Sequence, residues 1–236
     1  MALTGAGISV PSGIPDFRSP GSGLWGRYDP AQVAHIDAFR AQPALFWRFY
    51  GERFATLGDK LPNGAHRVLA AMQHAGLLDG VITQNVDMLH SAAGTPEPIE
   101  IHGSIASCRC PQCGYVVALA HARELLAASP EGLPRCERCG AVLKPDVVLF
   151  GEMLPRAALE RAVQLCSGAD LLLCIGSSLE VHPVASLPQL TLSRGGSVAI
   201  VTAGPTPLDE EAVLRLEGDV EHELLALASA LALTDF

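Results

Sequence analysis

A chain of 236 residues, 49% apolar and 17% charged, can bury one large domain or a large domain carrying a smaller one, which excludes a disordered chain or a staple-dependent mini-protein. Its net charge of −9 argues against a nucleic-acid groove built on bulk electrostatics and makes cationic peptides the more natural partner. The start, MALTGAGISV, lacks the basic and apolar regions of a signal peptide, and LLALASALAL near the end is too short to span a bilayer, so a cytoplasmic, membrane-free protein is expected.

The first element along the chain is TGAGIS at residues 4–9, a glycine-rich turn after a short first strand. Glycines let a backbone approach a pyrophosphate, whose charge is met by amide N–H groups at the following helix start. Val10 occupies the third glycine position of the dinucleotide fingerprint, and no strand ending in an acid follows about twenty residues on, so an ordinary dehydrogenase is excluded. GIPDFRSPG then reads as a loop rich in glycine, proline and serine.

Residues 46–54 read FWRFYGERF and hold five of the chain's twelve aromatic residues. At 100° per residue Phe46, Phe49, Tyr50, Arg53 and Leu57 share one helical face, and Arg48, Gly51 and Glu52 the other. A guanidinium on an apolar stripe needs a route for its head to water, an internal acid such as Asp37, or an anion from outside.

A helical pattern, GAHRVLAAMQHAG, leads to the apolar run VITQN from Val81. The polar Gln84, Asn85 and Asp87 of TQNVDMLH follow where that strand ends, the place where α/β sheets put ligand-binding groups. His102 of IHGS follows another short extended run, IEI. CPQCG and CERCG then supply Cys110, Cys113, Cys136 and Cys139, two C-x2-C knuckles suited to one tetrahedral, structural zinc; a knuckle through Cys108 is the alternative. VVLF from Val147, DLLLCIGSS from Asp170 and SVAIVT from Ser197 read as apolar strands, separated or followed by the helical RAALERAVQLC and DVEHELLALASALAL. Cys166 and Cys174 read as buried small hydrophobes.

Apolar strands alternating with helices predict an α/β fold, a Rossmann-like doubly wound parallel sheet. Residues 28–62 and 104–146 break the alternation. They are expected to form a small discontinuous domain, part helical and part zinc-binding, beside a large domain of residues 1–27, 63–103 and 147–236, with a cleft between them.

GAGIS, GIPDFRSPGSGLW, TQNVDMLH, IHGS, the two knuckles, VVLFGE and GSSLEVHP occur in this order over nearly the whole chain, and the set closely resembles the sirtuin family of NAD-dependent protein deacylases. The resemblance implies that NAD is consumed as a co-substrate: the acyl-lysine carbonyl oxygen attacks the nicotinamide ribose, and O-acyl-ADP-ribose, nicotinamide and free lysine result. It implies His102 as general base and Asn85, with Gln84, at the ribose. Asp87 would hold the nicotinamide carboxamide, and Gly5, Ala6, Gly7 and Ser9 the phosphates. Asp16, Phe17, Arg18 and Trp25 belong to a closing loop, and Gly176, Ser177, Ser178, Thr202 and Val220 line the adenosine side; Thr202 stands where many sirtuins have asparagine. The peptide would add as a strand between the segment of Val148, Phe150, Gly151 and Glu152 and that of Leu179, Glu180 and Val181.

Tyr50 and Arg53 match the Tyr-x-x-Arg pair of sirtuins that remove succinyl and malonyl groups, and Ala34 stands where a small residue would widen an acyl pocket; PDFRSPGSGLW is nearer the general deacetylases. The implied partner is therefore an acylated lysine in a protein, with the enzyme expected to act as a monomer and without direct nucleic-acid contact. An NAD-dependent ADP-ribosyltransferase, a deacetylase without preference for charged acyl groups, and a zinc-ribbon interaction module on a degenerate nucleotide fold are the competing readings.

Overall fold

The structure is a computed structural model that describes residues 1–16, 29 and 33–234, except for the side chains of Glu52, Ala55 and Thr56. Phe17, Arg18 and Trp25 lie outside the described residues. Among these residues the strands are β1 (Ala2–Thr4), β2 (Val81–Thr83), β3 (Ile99–Glu100), β4 (Gly103–Arg109), β5 (Val116–Ala118), β6 (Lys144–Val147), β7 (Leu171–Ile175), β8 (Ser197–Val201) and β9 (Leu214–Leu216). The helices are α1 (Ile36–Ala41), α2 (Pro43–Gly58), α3 (Gly64–His74), α4 (Leu89–Ala92), α5 (Leu119–Ala128), α6 (Arg156–Gly168), α7 (Leu187–Ser193) and α8 (Val220–Ala230), with a 3-10 turn at Ala6–Ser12.

Six strands form a parallel sheet in the order β3-β2-β1-β7-β8-β9. Its strands are apolar toward both faces, as burial on two sides requires. Leu3, Leu172, Cys174, Val198 and Ile200 pack with Ala162 and Cys166 of α6 and Leu187 of α7. Ala2, Ile175 and Val201 pack on the other face with Val68, Leu69 and Met72 of α3 and Leu224 and Ala228 of α8. Chain order reverses between β1 and β7, so the loops leaving their carboxyl ends diverge and open a crevice there.

Local chemistry fixes where the flanking helices begin. The Asn63 carboxamide oxygen accepts from the N–H groups of Ala65 and His66 at the start of α3, and Asp219 accepts from His222 at the start of α8. Pro43 opens α2, where its missing N–H costs nothing.

A separate small domain is built on the antiparallel sheet β5-β4-β6 with α1, α2 and α5. One apolar cluster joins Phe39, Phe46, Trp47, Phe54 and Leu57 to Ile105, Cys108, Leu143 and Val147, so the two sequence segments share a core. Two expectations are corrected here, and the alternative knuckle through Cys108 is set aside. VVLF is not a strand of the parallel sheet, because β6 ends at Val147 and pairs antiparallel with β4. The buried stripe of α2 runs through Phe46, Trp47, Phe54 and Leu57, which places Arg53 and Phe49 on its flank. Trp47 occupies the centre, its indole N–H donating to the Leu143 carbonyl at 2.9 Å. Cys108 is a core residue and not a knuckle ligand; burial, with Asp146 adding to it, pushes its thiol up to about 12. Cys166 and Cys174 are buried among apolar neighbours, as expected.

Candidate active site and metal centre

The carboxyl ends of β1, β2 and β7 converge on one polar constellation. Ser9, in the 3-10 turn after β1, donates its hydroxyl to Asp87 Oδ2 at 2.7 Å, and Asn85 donates its amide to the Gly5 carbonyl and to Ser9 Oγ, both at 3.1 Å. The Leu89 N–H reaches Asp87 Oδ1 at 3.0 Å. Gln84 spans the crevice from β2 to β7, donating to Ser177 Oγ at 2.9 Å. Asn85 and Asp87 are buried, and burial raises the Asp87 pKa while the bonds from Leu89 and Ser9 pull against it. These bonds fix each side chain before any ligand arrives, so little freedom is left to lose on binding.

Gly5 and Gly7 are glycines for an internal reason. The Gly7 N–H donates to the Gly176 carbonyl at 2.8 Å, and a Cβ on Gly7 would lie 2.7 Å from Gly176 Cα. The β1 and β7 turns therefore touch backbone to backbone, Gly176 at φ 60. The Gly5 and Gly7 amides are spent on the carbonyls of Ile175 and Gly176, so these two N–H groups do not form the phosphate cradle expected from the sequence.

His102 follows β3 at the crossing into the small domain. Its Nδ1 lies 3.0 Å from the Gln84 carbonyl, which can only accept, so Nδ1 carries the proton and Nε2 keeps its lone pair. Burial lowers the His102 pKa, against the opposing pull of the Gln84 carbonyl, which keeps the ring neutral near pH 7. Gly103 must be glycine: φ is 75°, and a Cβ would meet the Asp146 carbonyl at 2.0 Å.

Of the two segments expected to bind peptide, the one that begins at Val148 is tied to His102. The His102 carbonyl accepts from the Val148 N–H at 2.8 Å. Phe150 donates to the Ala34 carbonyl and accepts from the Ile36 N–H, both at 2.9 Å, so its main chain is already paired, and the Val148 carbonyl and the Gly151 main chain are the groups of this segment that face a strand-like partner in the peptide-docking reading. Leu179 turns its side chain into the large-domain core, as does Val220, whereas Glu180 is exposed. Val181 accepts through its carbonyl from Ala185 at 2.9 Å. Asp16 is half-buried at the end of the first described stretch, Ala6 opens the 3-10 turn, and Ser178 is half-buried beside Ser177.

The Tyr50 ring lies on Phe46 and Phe54 at 4.4 and 5.2 Å, within the small-domain cluster that also takes in Val86, between Asn85 and Asp87. Burial pushes the Tyr50 hydroxyl up to about 12, with Arg53 opposing, and burial lowers the Arg53 pKa, with Tyr50 opposing. Asp37, the internal acid considered for Arg53, pairs with Arg40 at 3.2 Å.

Cys110, Cys113, Cys136 and Cys139 bring their sulfurs within 4.8 Å of one another, with Cys110–Cys139 at 3.4 Å and Cys113–Cys136 at 3.6 Å. A zinc tetrahedron with bonds of about 2.3 Å sets its sulfurs roughly 3.8 Å apart, so the four thiols fit that ion and leave no open position.

Sequence reasoning missed the supports of this site. Asn63 donates to the Ile8 carbonyl and to Ser12 Oγ, tying the 3-10 turn to α3, and Thr4 Oγ1 lies 2.9 Å from His90 Nε2. Arg215 of β9 binds the carbonyls of Thr202, Gly204 and Leu216 and the Asp209 carboxylate, fixing the loop after β8. Asn63 before an apolar helix was a readable cap signal; the other contacts join residues far apart in the chain.

His66 and His90 meet edge to face with their ring centres 4.9 Å apart, and both are buried. Burial, with Arg67 adding, holds His66 down to about 4; burial, with His66 adding, holds His90 down to about 3. The unfolded chain takes up both protons near 6.5, so stability is fully present above that pH and is lost as pH falls toward about 4 and below. A urea midpoint that drops between about pH 7 and about pH 5, and drops less in His90→Gln, is the expected result; equal drops in both proteins would assign the loss to other groups.

Residues 5–183 match the Sir2 family. The NAD-dependent protein deacetylase of Sulfolobus acidocaldarius is 44% identical over 223 residues, covering 94% of this chain and 85% of that one. The NAD-dependent protein deacylase of Thermococcus kodakarensis is 43% identical over 229 residues, covering 95% and 89%. A solved Sir2 variant, in complex with a deacetylated p53 peptide and 3′-O-acetyl ADP ribose, superposes with a TM-score of 0.93 at 40% identity, covering 97% of this chain and 92% of that one. With the constellation around Asn85, Asp87 and His102 carried on such a sheet, the chain belongs to the Sir2 family, the sirtuins.

Proposed function

We propose that the protein is an NAD-dependent protein-lysine deacylase that removes acetyl groups and, through Tyr50 and Arg53, acyl groups ending in a carboxylate. The observation that carries the reading is His102, with Nδ1–H committed to Gln84 and Nε2 left as a neutral base beside the buried Asn85–Ser9–Asp87 set. Relatives named as deacetylase and as deacylase support the reaction class.

NAD would supply the electrophilic ribose carbon, and with one water taken up the acyl-lysine and NAD would end as free lysine, nicotinamide and an O-acyl ester of ADP-ribose. The chain's own residues position the groups and move one proton. Gly5, Gly7 and Gly176 keep the crevice floor thin, Gln84 and Ser177 orient its polar wall, and Asp87, held by Ser9 and Leu89, presents acceptors to a carboxamide. Val148 and Gly151 take the acyl-lysine main chain. His102 Nε2 accepts the proton of a ribose hydroxyl, and Gln84 stabilises the charged ring through Nδ1–H. The four cysteines hold one zinc that shapes the small domain and takes no part in the reaction.

Arg53 offers a two-pronged guanidinium to an acyl carboxylate, and Tyr50, kept protonated by burial, a second donor. Charge-assisted hydrogen bonds contribute about 1.5–3 kcal/mol, roughly tenfold to hundredfold in selectivity. Arg53→Met should therefore lower desuccinylation and demalonylation by roughly tenfold to hundredfold and spare deacetylation, compared on one peptide carrying acetyl, malonyl or succinyl lysine. Equal loss on all three would defeat the acyl assignment.

A further inference from the structure

Under the segment assigned to the peptide lies an ion pair that sequence reading left aside. Lys144 Nζ sits 2.9 Å from Glu152 Oε2, with side chains only 14% and 27% exposed, and donates to the Val147 and Pro145 carbonyls at 2.7 and 3.3 Å. The same Glu152 oxygen accepts from the Leu149 N–H at 2.9 Å, and the Glu152 N–H returns to the Leu149 carbonyl at 3.0 Å. Val148 is meanwhile tied to His102, and Phe150 to Ala34 and Ile36. Gly151 bends the turn at φ 84, with the His35 ring where a Cβ would go.

We propose that Lys144 and Glu152 are positioning residues for peptide recognition, holding residues 148–151 in the one shape whose backbone can pair with the acyl-lysine main chain. The proposal rests on the reading of that segment as the peptide-docking strand. A strand partner binds weakly to an edge that must first be ordered, because the ordering entropy is subtracted from the affinity. The carboxylate of Glu152 thus acts inward, on Lys144 and Leu149.

The test is steady-state kinetics of the full chain, as wild type, Glu152→Gln and Lys144→Met, with NAD and an acetyl-lysine peptide. The KM for peptide should rise about tenfold, the factor carried by one charge-assisted hydrogen bond, while kcat and the KM for NAD stay within about twofold. The reversed pair, Lys144→Glu with Glu152→Lys, should not recover the loss, since a carboxylate at position 144 would face two carbonyl oxygens. Hydrogen exchange should quicken at the Leu149 amide in Glu152→Gln and nowhere in the parallel sheet. An unchanged peptide KM, an equal rise in both KM values, or recovery in the reversed pair overturns the proposal and leaves the deacylase reading standing. A wild type that deacylates no peptide overturns that reading and the proposal with it.

Discussion

His102→Ala should lower NAD-dependent deacylation by about 10²- to 10⁴-fold, the span that a positioned general base supplies. Folding should be nearly untouched, because His102 enters the architecture through its main chain: its carbonyl holds the Val148 N–H, and among the described residues its side chain bonds to the half-buried Gln84 carbonyl. Burial lowers its pKa below 6.5, and the base works only when unprotonated. The acid limb of kcat/KM should therefore lie below pH 6.5, with a plateau through neutrality, and be absent from the residual rate of the variant. An alanine variant that retains the wild-type rate would remove His102 from the chemistry, whereas no deacylation by either protein would favour a non-enzymatic module.

Removing zinc should have the second large effect. Cys110 and Cys136 belong to the same apolar cluster as Val117, Ala122, Leu133 and Trp47, so the ligands and the small-domain core stand or fall together. Structural zinc binding is folding free energy, about 10–16 kcal/mol in small zinc modules. A chelator, or Cys110→Ser, should release one zinc per chain, open the small domain to proteolysis between β4 and β6, and abolish activity with it, since β6 leads directly into Val148. The parallel sheet, with its own two cores, should keep its helical circular dichroism. Unchanged proteolysis and activity after zinc release would contradict a structural zinc.

The large domain was legible because its signals are local. Apolar runs bounded by glycine gave β2, β7 and β8, and 3.6-residue periodicity gave α3, α6 and α8. β9 escaped notice because it is three residues long and carries Arg215, whose charge is met by Asp209 and by the carbonyls of Thr202, Gly204 and Leu216. The small sheet β5-β4-β6 was hidden by long-range pairing: Cys108 meets Val117 on one side and Pro145 on the other. At the site, the types and order of Gln84, Asn85, Asp87 and His102 were readable, whereas the partners that orient them were not. FWRFYGERF shows the same limit. Periodicity found its buried face but set it slightly wrong, because Trp47, bonded to the Leu143 carbonyl, and Phe54, its edge-on neighbour two turns further along the same helix, are more buried than Phe49.

The central claim is that NAD is cleaved to take up an acyl group from lysine. It is tested most directly by incubating the protein with NAD and an acetyl-lysine peptide and quantifying nicotinamide, free-lysine peptide and O-acetyl-ADP-ribose in the same sample. The account predicts the three products in equal amounts with no NADH formed. Label from NAD transferred to protein, with the peptide still acetylated, would contradict it and make the chain an ADP-ribosyltransferase.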